Sequence, residues 1–226
     1  MVKWFIRSLF RFTGVIIFSL GIVLGVRLLT SPEPHKSAFT HDEVAKINPV
    51  MIIDTYSLVH PENFQATMSD SFNRLGAIGV LVMTPFGPAV NPSLSGYKLN
   101  IIIQSGGGMV ALGREVEDAI NSLRSKGLKV QCYVGEAQSM AFYLMVTICD
   151  KVIAKRSARL MQHRVSYGLA GYTPSTYQSD VELSRKEAIA LGVKYDEWHN
   201  LVRGPEDHVF NLLEIEKYKL VDEWID

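Results

Sequence analysis

The stretch Leu128–His163, LKVQCYVGEAQSMAFYLMVTICDKVIAKRSARLMQH, decides how the rest of the chain is read. Leu128–Val134 alternates apolar and polar residues and is rich in β-formers, which predicts a strand ended by Gly135. Ser139–Ile148 (SMAFYLMVTI) is apolar on every side, as expected of a helix buried in a core. The one polar group at its start is Ser139. A serine there sits beside unpaired N–H groups and the positive end of the helix dipole, where an oxyanion can be stabilised. An N-cap serine with no further role is the plainer alternative. Its surroundings argue for more. Upstream, Leu99–Gln104 is a predicted strand running into Ser105-Gly106-Gly107-Gly108; downstream, Arg159–Gln162 is a short predicted strand delivering His163.

At 226 residues and 47% hydrophobic, the chain can bury one sizeable core. Lys plus Arg number 23 and so do Asp plus Glu, a balance that argues against nucleic acid as a partner. Cys132 and Cys149 lie inside the apolar stretch and are expected to be buried thiols, since no C-x-x-C spacing or other metal pattern accompanies them. No metal or cofactor is expected.

Lys3, Arg7 and Arg11 precede an uncharged run, Phe12–Val26, closed by Arg27. The run is shorter than the roughly 20 residues of a typical spanning helix, but its apolar flanks and snorkelling arginines extend it. A cleaved signal peptide is the competing reading; Arg27 directly after the apolar core, with no clear small-x-small site, argues against it. Residues 1–29 are therefore expected to form a single membrane anchor, 30–48 a linker and 49–226 the folded domain. The basic N-terminal flank places that domain on the non-cytoplasmic side of the cell inner membrane.

Val50–Asp54 predicts a short buried strand, and Pro61–Leu75 a helix with Phe64, Met68, Phe72 and Leu75 on one face. Gly76–Tyr97, with its glycines and prolines among apolar residues, is expected to be an ordered loop or flap. Leu99–Gln104, a helix at Val110–Lys126 and the strand from Leu128 form successive strand–helix units, which implies parallel strands. The glycine triplet lacks the spacing of a nucleotide loop. It suits a backbone that approaches a ligand closely and points N–H groups at it. Thr173–Arg203 reads as a long, polar-faced helical region broken near Gly192. Leu212–Tyr218 is helix-like and Leu220–Ile225 strand-like.

Four of these segments, taken in order, resemble the ClpP serine peptidases of the ClpP/crotonase superfamily. Gln104-Ser105-Gly106-Gly107-Gly108 is similar to that family's N-S-P-G-G turn. Gly135-Glu136-Ala137-Gln138-Ser139-Met140-Ala141 resembles its G-x-A-x-S-M-G nucleophile turn, and Met161-Gln162-His163 its M-I-H segment. Asp207 precedes a tail, Glu214–Asp222 (EIEKYKLVD), similar to the family's E-A-x-x-Y-G-L-[IV]-D ending. The chain departs from the pattern at Gly106, where the family has proline, and at Ala141 and Lys219, where it has glycine. The Gly76–Tyr97 insertion and the anchor are not typical of the soluble family. An anchored member resembles the signal-peptide peptidase A and NfeD-type membrane proteases, which use a Ser–Lys dyad; Lys186 and Lys194 are then the candidate bases.

The resemblance implies an α/β fold of repeated β-β-α units behind one N-terminal transmembrane helix. It also implies a serine endopeptidase acting on extended or unfolded polypeptides. Ser139 would attack, His163 would take and return the proton, and Asp207 would orient the imidazole. Backbone N–H groups of Gly108 and Met140 would form the oxyanion hole. Self-association into a homo-oligomer is implied as well. Two alternatives use the same scaffold: a catalytically silent peptide-binding or assembly protein, and a crotonase-type acyl-CoA enzyme.

Overall fold

The computed structural model describes residues 38–85, 87–166 and 172–226. The expected anchor at 1–29 lies outside the described residues. Among those described, no helix is long and apolar enough to cross a membrane.

The centre is a sheet whose inner strands are β4 (Lys98–Ser105), β5 (Lys129–Gln138) and β6 (Lys151–Gln162). β1 (Met51–Asp54) extends it on one side, and the sheet order is β1-β4-β5-β6-β7, with β7 (His208–Val209) antiparallel to β6. β8 (Glu223–Ile225) also pairs with β6, in parallel. The pairs β1–β4, β4–β5 and β5–β6 are all parallel, as the strand–helix succession requires. Leu99, Ile101 and Ile103 on β4 and Val130, Cys132 and Val134 on β5 are buried without exception.

Two strands run further than the sequence suggests. β5 does not stop at Gly135; it continues to Gln138, with a register shift between Val134 and Glu136. A glycine absorbs such a bulge cheaply, so it bends the strand instead of ending it. β6 starts at Lys151, well before the expected Arg159: Lys151, Arg156 and Arg159 lie at exposed positions, while the buried Lys155 is paired with Glu43 and the Ala38 carbonyl.

The expected loop Gly76–Tyr97 contains a two-stranded antiparallel hairpin, β2 (Leu81–Thr84) with β3 (Gly87–Val90). Part of the expected linker is helix α1 (His41–Ile47), closed at its N-terminus by a Thr40–Glu43 capping box. Residues 38–47 are fastened to the sheet: Lys155 Nζ reaches Glu43 and the Ala38 carbonyl, and Phe39 N–H donates to Gln104 Oε1 at 2.8 Å. In helix α2 (Pro61–Ala77), Phe64 is buried and Met68 and Leu75 pack on the core, but Phe72 is 48% exposed. Its neighbour Ser71 takes the inward place, satisfied by its own hydroxyl donating to Thr67 O at 2.7 Å.

Helix α3 (Val110–Arg124) and helix α4 (Met140–Ile148) pack on one another. α4 is buried nearly all round, as its sequence demands. Helix α5 (Pro174–Leu191) ends at Gly192, which takes the left-handed conformation at φ +66°, and helix α6 (Tyr195–Val202) follows. The chain closes with helix α7 (Leu212–Tyr218) and β8. Phe142 of α4 stacks on Phe210 at 4.8 Å and lies 6.3 Å from Trp198, which Tyr218 meets edge-on. This aromatic cluster joins the C-terminal segments to α4.

Cys132 and Cys149 are not free thiols; they form a disulfide with Cα atoms 5.8 Å apart. Cys132 lies on β5 and Cys149 caps α4, so the bridge encloses the segment that carries Ser139. Spacing revealed nothing of this, because the two meet only once strand, turn and helix have folded back.

Candidate active site

Ser139 occupies the turn between β5 and α4 with φ 53° and ψ −121°. Serine seldom adopts a positive φ, and holding it there costs roughly 1–3 kcal/mol. Two hydrogen bonds fix the turn: Ser139 N–H donates to Met161 O at 2.9 Å, and Ser139 O accepts from Tyr143 N–H at 3.0 Å. The Met140 N–H, first in its helix, has no carbonyl one turn back to bond.

The glycine loop passes directly over this turn. Gly107 N–H donates to Ser105 Oγ at 3.1 Å, and Gly107 has φ +95°. A Cβ on Gly108 would fall 2.1 Å from Leu58 O. That carbonyl is held by the next residue, Met109, whose N–H donates to it at 2.7 Å. Leu58 follows a tight turn in which Asp54 Oδ1 accepts from the N–H groups of Tyr56 and Ser57. The end of β1 thus supports the loop that follows β4, and glycine is required at both positions for the layers to touch.

His163 stands one residue beyond β6. Its N–H donates to Gln162 Oε1 at 3.0 Å and its ring Nδ1 lies 2.5 Å from Arg164 O. A carbonyl can only accept, so Nδ1 carries the hydrogen and neutral His163 keeps its lone pair on Nε2. Ser139, His163, Gly108 and Met140 line one cavity of about 710 Å³. Among the described residues no hydrogen bond joins Ser139 to His163.

Asp207 is exposed, does not line the cavity, and makes no hydrogen bond to His163 among the described residues. The antiparallel β6–β7 register pairs Met161 with Val209 and Gln162 with His208 and ends there, one residue short of His163 and of Asp207. Lys194 is exposed and Lys186 Nζ is held by Glu117 Oε2 at 2.9 Å. Neither lysine lines the cavity with Ser139.

Several residues at the site left no mark in the sequence motifs. Tyr143 is fully buried, lines the cavity and donates to Glu117 Oε2 at 2.8 Å. Burial, reinforced by that carboxylate, pushes its hydroxyl well above the usual phenol range. Behind His163 lies a buried group of charges, Arg203, Asp180 and Glu187. The signal for it was present: Asp180, Leu183, Ser184, Glu187 and Ala188 follow helical spacing and all are buried, so the inward face of α5 is largely polar. His199, bonded to Ser184 at 2.7 Å, is held below its ordinary pKa by burial and by the nearby Arg203.

A serine on a strained strand-to-helix turn, beneath a glycine loop and beside a histidine at the end of the neighbouring parallel strand, defines an α/β fold of the ClpP type. Residues 93–194 match the family model for Clp protease, a span that includes Ser139 and His163 and stops before Asp207. Among solved structures, the chain is similar to a ClpP1 point mutant from Listeria monocytogenes. The TM-score is 0.57 at 19% identity, over 81% of this chain and 95% of that one. Identity at that level speaks for the fold alone. No curated protein matches the sequence significantly.

Proposed function

We propose that this protein is a membrane-anchored serine endopeptidase that cleaves extended or unfolded polypeptides through an acyl-enzyme. The observation that carries the reading is the strained Ser139 sharing a cavity with His163 in the tautomer whose Nε2 can accept a proton. In this mechanism Nε2 takes the hydroxyl proton as Ser139 Oγ attacks the scissile carbonyl. The Gly108 and Met140 N–H groups meet the developing oxyanion. The imidazolium then protonates the leaving amine, and water releases the acyl group by the same steps in reverse. Asp207, one residue before β7 as His163 is one residue after β6, is the acid this reading assigns to stabilise the imidazolium, while Arg164 O holds Nδ1–H.

The basic flank of the apolar N-terminal run supports an anchor in the inner membrane with the catalytic domain outside the cytoplasm. The Cys132–Cys149 disulfide agrees, since such bonds persist mainly in oxidising compartments. Exposed apolar side chains, Met83 on the hairpin and Tyr177 and Ile189 on α5, support self-association.

The test is a pair of variants, Ser139→Ala and His163→Ala, assayed for peptide hydrolysis and fluorophosphonate labelling. Both activities are expected to vanish in each; retention in Ser139→Ala would remove the serine peptidase reading, and retention in His163→Ala would remove His163 as its base. A silent peptide-binding role has one observation in its favour: among the described residues no hydrogen bond joins His163 to Asp207. Full biological activity of Ser139→Ala would select it.

A further inference from the structure

We propose that Arg203 is a positioning residue for His163, holding the imidazole-bearing main chain at the cavity through a buried cluster with Asp180 and Glu187. The inference rests on the reading of His163 as the base for Ser139. Arg203 is 5% exposed and both carboxylates are fully buried. Its Nη1 donates to His163 O at 2.7 Å, while Nη2 lies 3.1 Å from Glu187 Oε1 and Nε 3.3 Å from Asp180 Oδ1.

The same three residues hold every neighbour of His163 in the chain. Glu187 Oε1 accepts from Gln162 Nε2 at 2.5 Å, and Gln162 in turn accepts the His163 N–H. Asp180 Oδ1 accepts from Val165 N–H at 2.7 Å. Arg203 O accepts from Arg164 Nε at 2.8 Å, and Arg164 supplies the carbonyl that fixes the His163 tautomer. Residues 162–165 are thereby bound one after another to α5 and the end of α6. Glu187 is itself anchored by Trp198 Nε1 at 2.8 Å.

A buried ion cluster is a poor device for stability alone, because well-packed apolar residues of similar volume usually do as well or better. Here its hydrogen bonds converge on one histidine and its neighbours: the His163 carbonyl, the Val165 N–H and the side chains of Gln162 and Arg164. Fixed geometry is what they supply. A displacement of about 1 Å at a reacting group can reduce turnover roughly 100-fold.

The test uses the full chain carrying Arg203→Lys, Arg203→Met, or the neutral combination Asp180→Asn/Glu187→Gln/Arg203→Met, which leaves no unpaired charge buried. Arg203→Met and the neutral combination should lose about 100-fold in kcat and in fluorophosphonate labelling, with KM little changed. Arg203→Lys should recover part of the loss. In a Ser139→Ala background, the NMR signal of the His163 ring, assigned by its loss in His163→Ala, should broaden or split when Arg203 is replaced. A folded variant with wild-type labelling and an unchanged ring signal would overturn the inference. So would a loss of rate with the ring signal unaltered. Should the unsubstituted protein show no labelling while the ring signal still responds to Arg203, the positioning role would stand and the peptidase reading would fall.

Discussion

A Cβ built on Gly107 would lie 2.6 Å from Cβ of Ser139, closer than two such carbons ever pack. The glycine loop and the serine turn are therefore fitted to one another, and neither can be altered alone.

Gly107→Ala should disable the site. The added methyl also meets Gln138 O at 2.7 Å, on a backbone whose φ of +95° disfavours any side chain. Fluorophosphonate labelling should fall by about 100-fold or more, the scale of a lost oxyanion donor. Gly76→Ala is the matched control. It lies within α2 with nothing within 4 Å of the new methyl, and should raise stability by roughly 0.5–1 kcal/mol through helix propensity.

Asp207→Ala should cost less than loss of a triad acid usually does. Arg164 O already orients Nδ1 of His163, so the imidazole keeps its tautomer without the carboxylate. Steady-state kinetics should show kcat lower by about 10- to 100-fold, short of the roughly 10,000-fold seen where one acid alone does this work.

Lys186→Met should leave labelling of Ser139 within about threefold of wild type, since the ammonium is already engaged by Glu117. Labelling that disappears in Lys186→Met and survives in His163→Ala would identify a Ser–Lys dyad instead.

The attachment of α1 should weaken in acid. The Thr40 N–H and then the Lys155 ammonium hold the Glu43 carboxylate at a pKa of about 2, against an ordinary 4.5. A depressed acid stabilises the fold fully above its unfolded pKa, and the contribution is lost as pH falls from 4.5 towards 2. Hydrogen exchange across His41–Ile47 should accelerate in that interval, and Glu43→Gln should remove the pH dependence.

Reduction of Cys132–Cys149, or its replacement by two alanines, should cost roughly 3 kcal/mol for a loop of this length. Thermal melting with and without reductant would measure it, the reduced form melting lower by roughly 6–12 °C.

The parallel core was legible because β4 carries the apolar run Ile101–Ile103, α4 is nearly all apolar, and their neighbours are punctuated by glycine. Ser139 and His163 could be picked out because each stands where a regular element begins or ends. The hairpin was hidden by Gly87 and Pro88, residues that normally argue against a strand yet sit comfortably in a two-stranded edge pair. The charges of α5 misled for a different reason. Asp180 and Glu187 look solvated until Arg203, which lies beyond a second helix, is folded against them. Pairings between distant residues, the disulfide included, leave no local periodicity to read.

Cys132 is wholly enclosed between β4 and β6. No oxidising enzyme can reach its sulfur once those strands have closed. Exchange on the folded chain must therefore begin at Cys149, which is only partly buried at the end of α4, with Cys132 completing the bond from within. A copy whose Cys149 is alkylated before oxidation would keep Cys132 as a thiol that no reagent outside the folded chain reaches.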